Sequence, residues 1–94
     1  MPIFFLAQIS EITNKEMYLS YIQQASPIIQ KYGGEYILKS DNLTPVTGNW
    51  DITRAVLIKF ENVETLKNCF QSEEYCKIKH LRENSVTSKA IVIE

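Results

Sequence analysis

From Ile3 to Ile9 the chain places Ile3, Phe5, Ala7 and Ile9 on one side and Phe4, Leu6 and Gln8 on the other, the two-residue period of a strand. Both sides are largely apolar, so both are expected to be covered. Thr13-Asn14-Lys15-Glu16 then has the form of a capping box, in which a threonine oxygen and a glutamate carboxylate satisfy free backbone donors at a helix start. Met17, Tyr18, Tyr21, Ile22, Ala25, Ile28, Ile29 and Tyr32 follow at helical spacing and predict one broad apolar stripe. Pro27 removes an internal hydrogen bond and is expected to kink or split this helix near Ser26. Gly33-Gly34 supplies its left-handed stop.

Glu35 to Ser40 reads as a second strand, with Tyr36 and Leu38 on one side and Ile37 and Lys39 on the other. Asp41 to Trp50 carries Asn42, Pro45, Gly48 and Asn49, which is turn chemistry. It is longer than a usual hairpin connection, and long loops in compact folds often carry function. Thr53 to Phe60 is the most hydrophobic strand, with Val56, Ile58 and Phe60 facing one way and Ala55 and Leu57 the other, and it belongs in the sheet's centre. Asn62 caps a helix bearing Val63, Leu66, Cys69 and Phe70. Ser72 caps another, whose first turn holds Glu73 and Glu74 and whose end gathers Lys77, Lys79, His80 and Arg82, as the helix dipole favours. Ala90 to Ile93 closes the order as a fourth strand.

The predicted order is β-α-β-β-α-α-β, a ferredoxin-like α+β domain spanning residues 1–94 around a four-stranded antiparallel sheet. Helices on one side of such a sheet leave the other side bare. Strands one, three and four carry bulky apolar residues on both sides, so pairing of two chains into a homodimer through that face is expected.

Composition narrows the function classes. At 94 residues with 45% hydrophobic and 22% charged side chains, the chain folds around a core that removes about 60–65% of its unfolded surface from water. A net charge of -1 offers no field to recruit nucleic acid or an anionic membrane. RNA-binding ferredoxin-like domains stack bases on third-strand aromatics, where this chain has Val56 and Ile58. Cys69 and Cys76 match no metal-site spacing, and Gln8 to Thr13 lacks a metallochaperone cysteine pair. Neither a metal nor a cofactor is implied. Ile3 to Ala7 is far shorter than the roughly 20 residues of a membrane span and has no basic flank. A cytoplasmic protein with reduced thiols is expected.

Tyr18, Tyr21, Pro27 and Tyr32-Gly33-Gly34, followed by Gly48-Asn49-Trp50, Arg54, Phe60, Ser72-Glu73-Glu74-Tyr75 and Leu81-Arg82, form an ordered set covering nearly the whole chain. In this set the sequence resembles the domain-of-unknown-function family DUF1330, of the dimeric α+β barrel superfamily. The resemblance implies a dimeric α+β barrel whose two sheets pack face to face, each subunit keeping a cleft between sheet and helices. Related families include cofactor-free monooxygenases, isomerases and decyclising enzymes, but this family has no established reaction, and fold kinship does not transfer chemistry.

Arg54 stands in an apolar strand, where a guanidinium needs an anionic partner. It is either an anchor for an acidic small molecule or a strand-end arginine that reaches water or pairs with a nearby Glu or Asp, the latter being the more ordinary arrangement. Trp50 either lids a pocket or flanks an aromatic substrate, or it is an anchor into the core or the dimer interface. Tyr75 and Arg82 lie two turns apart on about one helix face and can converge with Arg54, though packing for Tyr75 and a helix-end role for Arg82 are the plainer readings. Tyr18, Tyr21 and Tyr32 belong to a core stripe from which one hydroxyl, such as that of Tyr21, can face the cleft. His80 stands on a charged helix with no partner for a ligand set or triad. Two function classes follow. One is a cofactor-independent enzyme acting on a small organic acid or aromatic near Trp50, Arg54 and Tyr75. The other is a non-catalytic dimeric module that binds a small molecule or protein, favoured by the lack of an evident general base.

Overall fold

A computed structural model describes residues Met1–Glu94. The elements are β1 (Ile3–Ile12), α1 (Lys15–Lys31), β2 (Glu35–Ser40), β3 (Arg54–Phe60), α2 (Val63–Phe70), α3 (Glu73–Glu83) and β4 (Val86–Ile93). The four strands form one antiparallel sheet in the order β2-β3-β1-β4, the ferredoxin-like arrangement. The barrel implied by the family resemblance is not formed. The sheet is open, with β2 and β4 each paired on one side only, and four strands are about half the number that closes a small barrel.

Local chemistry corrects four details of the sequence reading. The first helix is capped by Asn14, whose side chain accepts from the Met17 N–H at 3.1 Å; the Thr13 hydroxyl instead donates to the Ser85 carbonyl. Pro27 lies inside an unbroken α1. It and Gln23, the residue whose carbonyl it leaves without an N–H, are both exposed, which leaves that carbonyl within reach of water. The fourth strand begins at Val86 rather than Ala90 and pairs with the end of β1 beyond a register shift between Ile9 and Glu11. In β2 a second shift between Tyr36 and Leu38 adds one residue. A bulge reverses the alternation after it. Tyr36 and Lys39 therefore share the helix-covered side, with Lys39 Nζ 4.6 Å from the Tyr36 ring centre, while Leu38 turns to the open side opposite Leu57.

The core lies between sheet and helices, built from Ile3, Ile58 and Phe60 of the strands, Ala25 and Ile29 of α1, and Leu66, Cys69, Tyr75 and Ile78 of α2 and α3. Ser85, fully buried at the α3–β4 corner, accepts at its carbonyl from Thr13 N and Asn14 N, and so pins the start of α1 to the start of β4. Burial pushes the Cys69 thiol up to about 11 and leaves it unreactive. Lys31 and Tyr32, at the end of α1, both donate to Glu74 at the start of α3, which holds that carboxylate below its usual range.

Gly34 marks the tightest approach of backbone to core. A Cβ there would lie 2.5 Å from Ile29 Cγ2 and 3.0 Å from Phe60 Cζ. Gly34→Ala is therefore expected to cost about 1–3 kcal/mol through overpacking, read as a lowered denaturant midpoint with an unchanged slope. Wild-type stability in that variant would show that the helix end gives way freely.

Candidate functional site

A cavity of about 260 Å³ opens between the sheet and helices α1 and α3. It exists because small side chains stand where large ones would fill it: Ala7 pairs with Ala90 across β1 and β4, and Ala25 faces them from α1. Its floor is apolar, with Phe5, Val56 and Ile58 from the central strands. Its polar groups are the hydroxyls of Tyr18, Tyr21, Tyr36 and Tyr75, those of Ser26 and Ser88, and the cations of Lys39, Arg54 and Arg82. Lys89 also borders it, although by register it pairs with Gln8 on the sheet's open side. No carboxylate, histidine or cysteine lines the cavity.

The helical repeat places Tyr18, Tyr21, Ile22 and Ala25 of α1 along one wall. Tyr21 and Tyr75 meet hydroxyl to hydroxyl at 2.8 Å, their rings edge to face. Two hydroxyls joined this way use one proton between them and keep the other for a third group. Burial raises the pKa of Tyr21, reinforced by Tyr75. Burial also raises that of Tyr75, against the opposing pull of Tyr21's hydrogen bond and of Arg82. Both are therefore neutral donors near pH 7, not bases. Tyr18 and Tyr36 are likewise raised by burial, opposed by Arg54 and by Ser26 respectively.

Arg54, at the start of β3, bonds through Nη1 to Asp41 at 2.7 Å, and its Nε is buried without a partner. Burial works against its charge, but Asp41 and the adjacent Tyr18 outweigh that and hold its pKa above the ordinary value.

Of the five residues singled out in the sequence, Arg54, Tyr75, Arg82 and Tyr21 border this one cavity. Trp50 does not. Its indole is 54% exposed and donates to the Thr47 carbonyl at 2.7 Å. It lines a separate polar groove with Gln8, Ser10 and Lys89. His80 is exposed on α3, and no three His, Cys, Asp or Glu side chains converge to hold a metal. Sequence reasoning passed over Tyr36 and Asp41. The alternation of β2 could have signalled Tyr36, but nothing local links Asp41 to Arg54.

The hydroxyl pair is energetically coupled. Tyr21→Phe or Tyr75→Phe alone strands the other hydroxyl in a buried setting, an expected loss of about 1–2 kcal/mol for each single variant. The double variant should lose no more than one single, as a chemical-denaturation cycle will read. Additive losses would mean that the hydroxyls act independently.

Fold and cavity together define a ferredoxin-like α+β protein with a cationic, tyrosine-rich space between sheet and helices. Residues 2–94 match the family described as "Domain of unknown function (DUF1330)", and the chain belongs to it. No curated protein matches the sequence. Among solved structures, the chain is similar to a protein of unknown function from Rhodopseudomonas palustris (16% identity, TM-score 0.82, covering 98% of this chain and 80% of that one). It is also similar to SnoaB, a cofactor-independent oxygenase from Streptomyces nogalater (6% identity, TM-score 0.73, covering 99% and 91%). A third, from Bacteroides fragilis, is a dimeric protein of unknown function with a ferredoxin-like fold (12% identity, TM-score 0.62, covering 99% and 95%). At these identities the likeness is one of fold. No helix of the chain is long and apolar enough to cross a membrane.

Proposed function

We propose that this chain is a homodimeric protein that binds a small aromatic acid between its sheet and helices. The observation that carries this reading is the composition of the cavity wall, in which tyrosines and the cations Lys39, Arg54 and Arg82 surround an apolar floor with no carboxylate among them. Such a site attracts a negative group and stacks a flat ring, while its neutral hydroxyls orient polar substituents. The volume suits a ligand of one or two rings. Arg54 takes the carboxylate, and Arg82 with the Tyr21–Tyr75 pair takes an oxygen at the opposite end.

Calorimetric titration with 4-hydroxybenzoate and 1-naphthoate, against the neutral analogues phenol and 1-naphthalenemethanol, tests this. The acids should bind at least about tenfold tighter, the minimum expected of a charge-assisted hydrogen bond. Equal affinity for the neutral compounds would refute an anion site.

A second reading, cofactor-independent catalysis on the same ligand, is favoured by the Tyr21–Tyr75 pair. Beside Arg82, the one hydroxyl proton that the pair leaves free can stabilise an oxyanion that develops on the substrate, and the similar fold of SnoaB supports the reading by analogy. With no base in the cavity, the substrate would have to arrive already acidic. Oxygen consumption or product formation in the presence of bound acids distinguishes turnover from binding alone.

The dimer is supported by the sheet's uncovered side. Leu38, Leu57, Leu6 and Ile91 stand in one row across all four strands, each paired with the next. Leu38 and Ile91 are 51% and 58% exposed in the single chain. The molecule is a slab of 33 × 32 × 15 Å, so its broad side offers on the order of 1,000 Å², enough for the ~800 Å² each partner contributes to a standard interface.

A further inference from the structure

Arg54 and Asp41 form an unequal pair. The arginine side chain is 16% exposed and borders the cavity, whereas the aspartate side chain is 75% exposed and lies at the start of the long β2–β3 connection. Only Nη1 of the guanidinium is engaged by Asp41, while Nε is buried with nothing to bond. Guanidinium presents its donors as a planar fork matched to a carboxylate. Asp41, reaching in from the rim, fills only part of that fork.

On the binding reading above, we infer that Asp41 is a built-in competitor for the ligand's carboxylate and sets the affinity of the site. In the empty protein it neutralises Arg54. A ligand acid entering from the cavity takes the fork that includes Nε and satisfies the orphaned donor. Two carboxylates held on one guanidinium repel each other, so the ligand's charge weakens the Asp41 contact at Nη1 and Asp41 returns to water, which its exposure makes inexpensive. The segment from Asp41 to Ile52 is then held at its far end by Thr53, whose N–H donates to the Ile9 carbonyl at 2.7 Å. Loop release and ligand binding become one event.

Removing a charge that touches the site should strengthen binding, and binding should loosen a loop instead of ordering it. Asp41→Asn keeps the size of the side chain at an exposed position, so the fold is expected to persist, as circular dichroism will check. Titrated with 4-hydroxybenzoate, the variant should bind about threefold to tenfold tighter than wild type, as expected when a partly exposed ion pair no longer opposes the ligand. Hydrogen exchange of residues 41–52 should quicken on ligand addition in wild type, and be fast with or without ligand in the variant. Equal or weaker binding by Asp41→Asn, with wild type still binding, would overturn the competitor role and leave the cavity reading intact. If neither protein binds any of the aromatic acids, the cavity reading itself fails and the inference falls with it.

Discussion

Arg54→Met is expected to abolish measurable binding of small aromatic carboxylates while leaving the fold about as stable as before. Ordinary losses of function through misfolding run the other way. Arg54 is largely buried, is opposed by a solvent-exposed aspartate and carries an unpartnered Nε. Asp41 and Tyr18 offset the cost of desolvating the cation, but Asp41 is exposed and water takes over its carboxylate once Arg54 is gone, so an apolar chain of similar length should be close to neutral. Methionine also fills irregular space well. The ligand's carboxylate, by contrast, would lose its guanidinium partner, and Lys39, another strand cation of the cavity, is engaged over the Tyr36 ring. Losing a desolvated charge partner costs about 2–5 kcal/mol, or roughly thirtyfold to several thousandfold in affinity. Paired calorimetric titration and thermal melts with 1-naphthoate read both halves of the expectation. A variant that binds the acid as well as wild type would place the anion site elsewhere, with Arg82 the next candidate, whereas a sharply lowered Tm would make Arg54 a structural residue.

The same residue shows what could and could not be read before the structure was known. That Arg54 needed an anion followed from its apolar neighbours on β3. That the anion is Asp41, 13 residues away across a long loop, is a matter of how the loop returns, which no periodicity encodes. Trp50 shows the converse. Its place in that loop suggested a pocket, but the loop turns on itself, the indole bonds to Thr47, and the side chain ends at a groove bordered by Gln8 and Lys89 of the open side.

The order of elements was legible because each one has a local cause: alternation in β1 and β3, the stripe of α1, and caps at Asn62 and Ser72 that each accept from a backbone N–H three residues on. The departures have local causes too. Thr13 and Asn14 are both competent caps, and tertiary demand from the Ser85 carbonyl decided between them. Val86 to Lys89 lacks apolar alternation because it lies on an edge strand. The bulge in β2 is invisible in composition, yet it moves Lys39 to the cavity rim and Leu38 to the open side. The barrel entered through family resemblance alone, and no residue pattern in a four-stranded sheet required it.

Leu57→Glu should convert a dimer to a monomer without unfolding it. Leu57 lies on β3, one of the two central strands, flanked by Leu6 on β1 and Leu38 on β2, on the side that no helix covers. A glutamate there points to water in the single chain and disturbs none of the core residues, which face the other way. In a dimer closed by a two-fold axis through this row, each substitution would appear twice, and both carboxylates would have to leave water in the centre of the contact. The penalty is several kcal/mol per ion even after relaxation, so at micromolar concentration dissociation should be complete. Leu19→Glu serves as the control, since Leu19 is 48% exposed on α1 and lies on the helical layer away from the row. Sedimentation velocity at micromolar concentration should show wild type and Leu19→Glu as dimers and Leu57→Glu as a folded monomer, with unchanged far-ultraviolet circular dichroism. A monomeric wild type would remove the dimer altogether. A Leu57→Glu protein that still sediments as a dimer would move the contact off the apolar row, and the exposed edge strands β2 and β4 would be the surfaces left to form it.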